Sequence, residues 1–442
     1  MPYRHLTRGL VIAAPASASG KTTVTLALLR LLAREGRIVA PFKTGPDYID
    51  GAFHRAASAG RPCYNLDLFA MRPATLAGVL DYGSAGAEIV AIEGVMGLFD
   101  GAVSSEGSTA DLAARLDLPV VLVIDAARQS QSIAALVHGF RSFRDDVVLA
   151  GVILNRVSSP KHEMLLRNAL APLGLPVLAA LPPEGDLTMP SRHLGLVQAE
   201  ERDGLDFFLD RAADWLHLHL DRAALEQLLQ PLQVSRPATL APLPPLGQRI
   251  AVARDAAFAF AYPHLLQGWQ AQGASLDFFS PLANETPATD CDAVFLPGGY
   301  PELHAARLAG NAGLLQGLRA AADRGAVIYG ECGGFMLLGR GLTDAEGNQH
   351  AMAGLLPVET SFAERKRHLG YRRITSLADT MLGPAGQRFR GHEFHYSIQT
   401  GGEDPALALF SATDAAGAEL GLSGCRQGKV FGSYLHLIDR ED

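Results

Sequence analysis

The chain has 442 residues, 48% hydrophobic and 19% charged, with a formal net charge of −8. That length exceeds one ordinary core and calls for two or three domains, and the acidic balance argues against nucleic acid as a partner while allowing an anionic substrate in a local basic pocket. Four cysteines, Cys63, Cys291, Cys332 and Cys425, are too few for a disulfide framework, and their lack of C-x-x-C spacing argues against zinc; a reducing cytoplasm suits them.

Arg4 and Arg8 precede a short apolar run at 10–14, a loose imitation of a signal peptide. The run is too short for that role and leads straight into Gly20-Lys21-Thr22, so it reads as a first strand entering a phosphate loop. No stretch reaches transmembrane length, and no membrane partner is expected. Residues 22–34 then read as an amphipathic helix with Leu26, Leu29 and Leu32 on its apolar side. Further apolar strands are expected at 37–42, 88–92, 119–124 and 147–154. All-apolar strands separated by helices imply a parallel sheet covered on both faces. Near Gln230 the pattern stops. Pro231, Pro237, Pro242, Pro244 and Pro245 crowd together and mark a semi-rigid spacer. The expected division is therefore an ATP-dependent domain at 1–235, a linker at 236–247 and a second α/β domain at 248–442. Strands at 249–253, 293–296 and 326–329 begin the latter.

Pro15-Ala16-Ser17-Ala18-Ser19-Gly20-Lys21-Thr22-Thr23 lies between a strand and a helix, where backbone N–H groups and the helix dipole hold phosphates. Ser19, Gly20, Lys21, Thr22 and Thr23 are the expected ATP contacts, with Lys21 on the β/γ-phosphates and Thr22 on Mg²⁺. Pro15 stands where the usual pattern has glycine. Acidic ligands for the magnesium nucleotide are expected just beyond strand ends, at Asp47 and Glu93. Asp50 and Asp100, also beside glycines, suit a role on the substrate. Asn155 follows another strand, and its amide either reads an adenine edge or completes an ordinary turn.

Gly330-Glu331-Cys332-Gly333-Gly334 follows an apolar strand and opens a helix, a nucleophile elbow with cysteine in place of serine. A helix N-terminus after Cys332 is expected to lower the thiol pKa. Pro297-Gly298-Gly299 follows another strand, and the N–H groups of Gly298, Gly299 and Gly333 are the expected oxyanion hole. His436 is the expected base, far from Cys332 in sequence, as is normal for Cys/His catalysis. The polar run 391–397 suits glutamine binding, a domain contact or a plain strand, and its H-E-x-H spacing is not that of a zinc helix.

The Gly298-Gly299 loop, the Cys332 elbow and His436 resemble a class I glutaminase. The N-terminal half resembles the dethiobiotin synthetase group of P-loop enzymes. The fusion of the two, with Lys43-Thr44-Gly45-Pro46-Asp47-Tyr48-Ile49-Asp50, Asn65-Leu66-Asp67 and 93–101, resembles the cobyrinic acid a,c-diamide synthase family, which includes the hydrogenobyrinic acid enzyme. The resemblance implies two doubly wound α/β domains, the second flavodoxin-like. It implies ATP- and glutamine-dependent amidation of the a and c acetates of a corrin through an acyl phosphate, in cobalamin biosynthesis. Mg²⁺ is the implied cofactor, and a homodimer is a plausible assembly. Tyr48, Asp50 and Asp100 fall in segments that would face the corrin and its activated carboxylate. Many class I glutaminases place an acid two residues after the histidine. Here that position is Ile438, so the resemblance implies a Cys332/His436 dyad with weak uncoupled hydrolysis. Asp439 is not assigned the role. A cobyric acid synthase-type amidotransferase and a P-loop ATPase fused to a non-catalytic binding module are the alternatives.

Overall fold

The computed structural model describes residues 7–102, 106–187, 191–192, 195–196, 199, 204–233, 240–402 and 404–442. Arg4 of the signal-like stretch, the boundary at residue 235 and positions 236–239 of the proline-rich spacer lie outside them. The chain divides into two units: Met1–Phe69 with Leu76–Ala238, and Ala70–Thr75 with Thr239–Asp442.

In the first unit the apolar runs become strands β1 (Arg8–Ala13), β2 (Val39–Thr44), β3 (Tyr64–Leu66), β4 (Ile89–Glu93), β5 (Val120–Asp125), β6 (Leu149–Asn155) and β7 (Val177–Ala180). They lie in the order β3-β2-β4-β1-β5-β6-β7, with every neighbouring pair parallel. Gln230–Pro231 adds a short antiparallel pairing to β1. Helix α1 (Lys21–Arg34) buries Leu26, Leu29 and Leu32 completely or nearly so and packs on the helix Leu205–His217. Each such leucine contributes about 1.5–3 kcal/mol of burial free energy. The register matters more for function. β4 is flanked by β1 and β2, and Glu93 stands opposite both Ile12 and Lys43. The loop after β1, the end of β2 and the end of β4 therefore share one edge of the sheet, where α/β sheets bind ligands.

The second unit has a six-stranded sheet in the order Ser275–Phe279, Arg249–Ala253, Ala293–Leu296, Val327–Glu331, Val430–Ser433, Cys425–Gln427. Its first five strands are parallel and the last is antiparallel. A five-stranded antiparallel sheet runs Glu419–Ser423, Phe410–Asp414, His368–Ser376, Arg388–His395, Leu435–Arg440. The polar run at 391–397 thus lies mostly in a strand, one of its expected forms. No helix among the described residues is long and apolar enough to cross a membrane.

Residues Ala70–Thr75 join the second unit, which a contiguous reading of the chain does not anticipate. Arg72 anchors them. Its backbone N–H and guanidinium donate to the carboxylate of Asp439 at 2.8 and 2.9 Å, and the guanidinium also reaches the Ala241 carbonyl at 3.1 Å. Asp439 is fully buried, so removing its cation leaves an uncompensated interior charge. Arg72→Ala is expected to cost about 3–5 kcal/mol of stability. Chemical denaturation of the variant checks this; an unchanged midpoint would contradict the anchoring role.

Candidate active site

The phosphate loop is built on two left-handed residues, Ala18 at φ 66° and Gly20 at φ 90°. The Ser19 hydroxyl donates to the Ala16 carbonyl at 2.8 Å. Asn155 donates its side-chain amide to the Ser19 carbonyl at 3.0 Å, and a Cβ on Gly20 would collide with that amide. The side-chain carbonyl oxygen of Asn155 accepts from the Arg156 N–H. One N–H of the Asn155 amide is spent on the loop, and the residue also lines the cleft described below. Lys21 donates to the Met96 carbonyl at 3.2 Å, and burial, followed by repulsion from Lys43, lowers its ammonium to about 8.

Glu93 is the hub of the site and has no solvent exposure. Its Oε1 accepts from the Thr22 hydroxyl at 2.7 Å and from the Lys43 ammonium at 3.0 Å. Lys43 also meets Asp50 at 2.6 Å and Asp47 at 3.7 Å. Burial opposes the Lys43 charge, yet Asp50 and Glu93 hold its pKa well above the usual value. Burial, together with the nearby Asp47 carboxylate, raises Asp50 to about 7. Asp47 caps the start of helix α2 (Asp50–Ala57) by accepting the N–H groups of Ile49 and Asp50.

His54, on α2, is a site residue that sequence reading missed. Its Nδ1 lies 2.6 Å from the Asp50 backbone carbonyl, an acceptor only, so Nδ1 carries a proton. Its Nε2 lies 2.6 Å from Glu93 Oε2, and that contact needs a second proton. Burial works against the imidazolium, but Glu93 outweighs it and raises His54. Burial likewise works against the Glu93 carboxylate, and Lys43 and His54 hold it well below its ordinary range. The pair is an imidazolium–carboxylate.

An open cleft of about 610 Å³ is lined by Gly20, Lys21, Thr22, Thr23, Lys43, Asp47, Asp50, Glu93 and Asn155, among others. Ser19, Tyr48 and Asp100 stand outside its lining. Ser19 is buried beneath the loop, Tyr48 is half-buried, and exposed Asp100 accepts the Gly97 N–H at 2.9 Å.

In the second unit, Cys332 sits at φ 47°, a left-handed conformation costly for a side chain with a Cβ. Its N–H donates to the Ser433 carbonyl at 2.8 Å, and the helix Gly333–Leu338 starts directly after it. Glycines let three segments meet here. A Cβ on Gly334 would strike the Leu296 carbonyl, and one on Gly299 the Ala257 carbonyl. The place a Gly333 Cβ would take is 3.1 Å from the Gly299 nitrogen, which brings together two of the three expected oxyanion donors. The place a Gly298 Cβ would take is 3.1 Å from His436 Nε2 and 3.3 Å from Cys332 Cβ. Nucleophile and base therefore face one point.

Burial, reinforced by the Glu302 carboxylate, raises the Cys332 thiol, while the Gly333 N–H pulls the other way. Burial, with His392 and His395 nearby, lowers His436 to about 3. The resting pair is thus a thiol and a neutral imidazole. This corrects the expected thiolate: one helix turn does not offset full burial beside acidic groups. Glu331 Oε2 lies 3.7 Å from His436 Nδ1. Asp439 is occupied by Arg72.

The family described as "CobQ/CobB/MinD/ParA nucleotide binding domain" matches residues 10–197, and the "CobB/CobQ-like glutamine amidotransferase domain" matches residues 249–442. With a phosphate loop in one unit and a Cys/His elbow in the other, these matches define an ATP-using, glutamine-dependent, amide-forming ligase. Three full-length relatives carry the name hydrogenobyrinate a,c-diamide synthase. That of Brucella suis biovar 1 (strain 1330) is 57% identical, that of Sinorhizobium sp 52% and that of Rhodobacter capsulatus 52%, each over 98% of both chains. The chain belongs to the hydrogenobyrinate a,c-diamide synthase family.

Gly298→Ala is expected to push His436 off its position and to lower glutamine hydrolysis by about 10²-fold, the usual cost of a misplacement near 1 Å. A glutaminase assay checks it, and a wild-type rate would show that the imidazole has another seat.

Proposed function

We propose that this protein amidates the a and c acetate side chains of a corrin, hydrogenobyrinate or cobyrinate, in two rounds of ATP- and glutamine-dependent chemistry. The observation that carries this reading is the 52–57% identity, end to end, with relatives bearing the diamide synthase name.

In the first unit, a corrin carboxylate oxygen attacks the γ-phosphorus of ATP, releasing ADP and leaving an acyl phosphate. Ser19, Gly20, Lys21, Thr22 and Thr23 hold the phosphates, and Asn155 keeps the loop in shape. The hydroxyl of Thr22 and the carboxylates of Asp47 and Glu93 are hard oxygen donors of the kind Mg²⁺ takes, so the residues present fit that ion. Bound there, Mg²⁺ would screen the phosphate charge during transfer. Tyr48, Asp50 and Asp100 are assigned to the corrin side, with Asp50 the best supported because it lines the cleft.

In the second unit, Cys332 gives its proton to His436 Nε2 as sulfur attacks the glutamine carboxamide. The N–H groups of Gly298, Gly299 and Gly333 take the oxyanion. His436 returns the proton to the departing nitrogen, which leaves as ammonia, and water hydrolyses the thioester to glutamate. Ammonia then attacks the acyl phosphate; phosphate leaves and an amide remains. The neutral resting pair supports weak hydrolysis in the absence of the other substrates.

Cys332→Ala should abolish glutamine-dependent amidation yet retain amidation with added ammonium. Lys21→Ala should lose both, because no acyl phosphate forms. Product analysis by mass spectrometry with each nitrogen source checks the pair. Failure of ammonium to rescue the first variant, or ammonium-dependent product from the second, would contradict the respective assignment.

A further inference from the structure

The carboxylates around His436 differ in what they have left to give. Asp439 is held by the Arg72 guanidinium and backbone N–H. Glu393 is held by Arg372 at 2.6 Å and by His395 at 2.8 Å. Glu331 is differently placed. It ends the parallel strand Val327–Glu331, where side chains alternate between faces, so Tyr329 and Glu331 share one face. The Tyr329 hydroxyl donates to Glu331 Oε1 at 2.8 Å, and the Leu437 N–H donates to the same oxygen at 3.1 Å. Leu437 is the residue after His436, so the contact ties the carboxyl to the strand that carries the base. Oε2 is turned toward His436 Nδ1 at 3.7 Å. Glu331 is buried and directly precedes the nucleophile.

We propose that Glu331 is the orienting acid of the glutaminase site, making the unit a Cys332–His436–Glu331 triad whose acid precedes the nucleophile instead of following the histidine. This rests on the reading of Cys332 and His436 given above. Glu331 Oε2 accepts the Nδ1–H of His436, which makes Nε2 the unprotonated nitrogen that takes the thiol proton on the side where Gly298 brings the two together. Such bonds are often long in a free enzyme and shorten when substrate binds. Two donors on Oε1 support the carboxylate while the imidazolium exists, and the proton on Nε2 goes on to the leaving ammonia, so Glu331 gains and loses nothing over the cycle. Burial lifts Glu331 to about 8, and the Tyr329 and Leu437 donors pull the other way, toward the carboxylate. The other charged groups facing the thiol and imidazole are Glu302, His392, Glu393 and His395. Glu331 is a positioning residue, acting on glutamine only through His436.

Glu331→Gln keeps the shape of the side chain and removes the charge. Glutamine-dependent kcat is expected to fall about 10²-fold while the KM for glutamine stays within about threefold, the split expected for a group acting through a general base. Ammonium-dependent amidation should persist, and Glu331→Asp should recover part of the lost kcat. Unchanged glutamine kcat, a loss confined to KM, or loss of the ammonium-dependent rate as well would each overturn the proposal. Cys332→Ala with ammonium tests the underlying glutaminase reading separately, so the two failures are distinguishable.

Discussion

A buried carboxylate with no solvent exposure must be matched by cations, and Glu93 is matched by Lys43 and His54 at once. The first unit is arranged around that requirement. β4 carries Glu93 to the sheet edge, β2 brings Lys43 beside it, and α2 brings His54 to its second oxygen. What remains for a ligand is the Thr22 side of the carboxylate, next to the phosphate loop. The Lys43 ammonium also restrains Asp50 and approaches Asp47, so three acids stand ready beside the cleft without driving one another away.

The second unit satisfies a steric constraint instead. A cysteine held at positive φ is poised but strained, and the strain persists because the neighbouring backbone leaves it no other place. The glycines at 298, 299, 333 and 334 are the positions where a side chain would break that packing. Full burial works against charge on both the thiol and the imidazole.

Much of this was legible in the residues. The apolar runs appear as strands within one or two positions of their expected ends; Thr22 lies in the first turn of α1, Glu93 ends β4, Cys332 directly precedes the helix Gly333–Leu338 and His436 lies in the strand Leu435–Arg440. Most antiparallel strands of the second unit were not legible, because a run such as His368–Ser376 mixes charge and apolar residues without a clean period. Lys43 stands in a conspicuous motif, yet a lysine reads as a surface residue until three adjacent strand ends bury it. His54 meets a partner 39 positions away, and Arg72 one 367 positions away, through strand order that composition does not encode. Glu331 sits beside the nucleophile, but which way its side chain turns follows from the pairing of its strand.

The central claim is that the carboxylate is activated as an acyl phosphate before ammonia reaches it. Its most direct test uses a corrin whose acetate carboxylates carry ¹⁸O, incubated with ATP and glutamine, with the released phosphate weighed by mass spectrometry. The account predicts one ¹⁸O delivered to inorganic phosphate for each amide formed. Amide formation with unlabelled phosphate would contradict it.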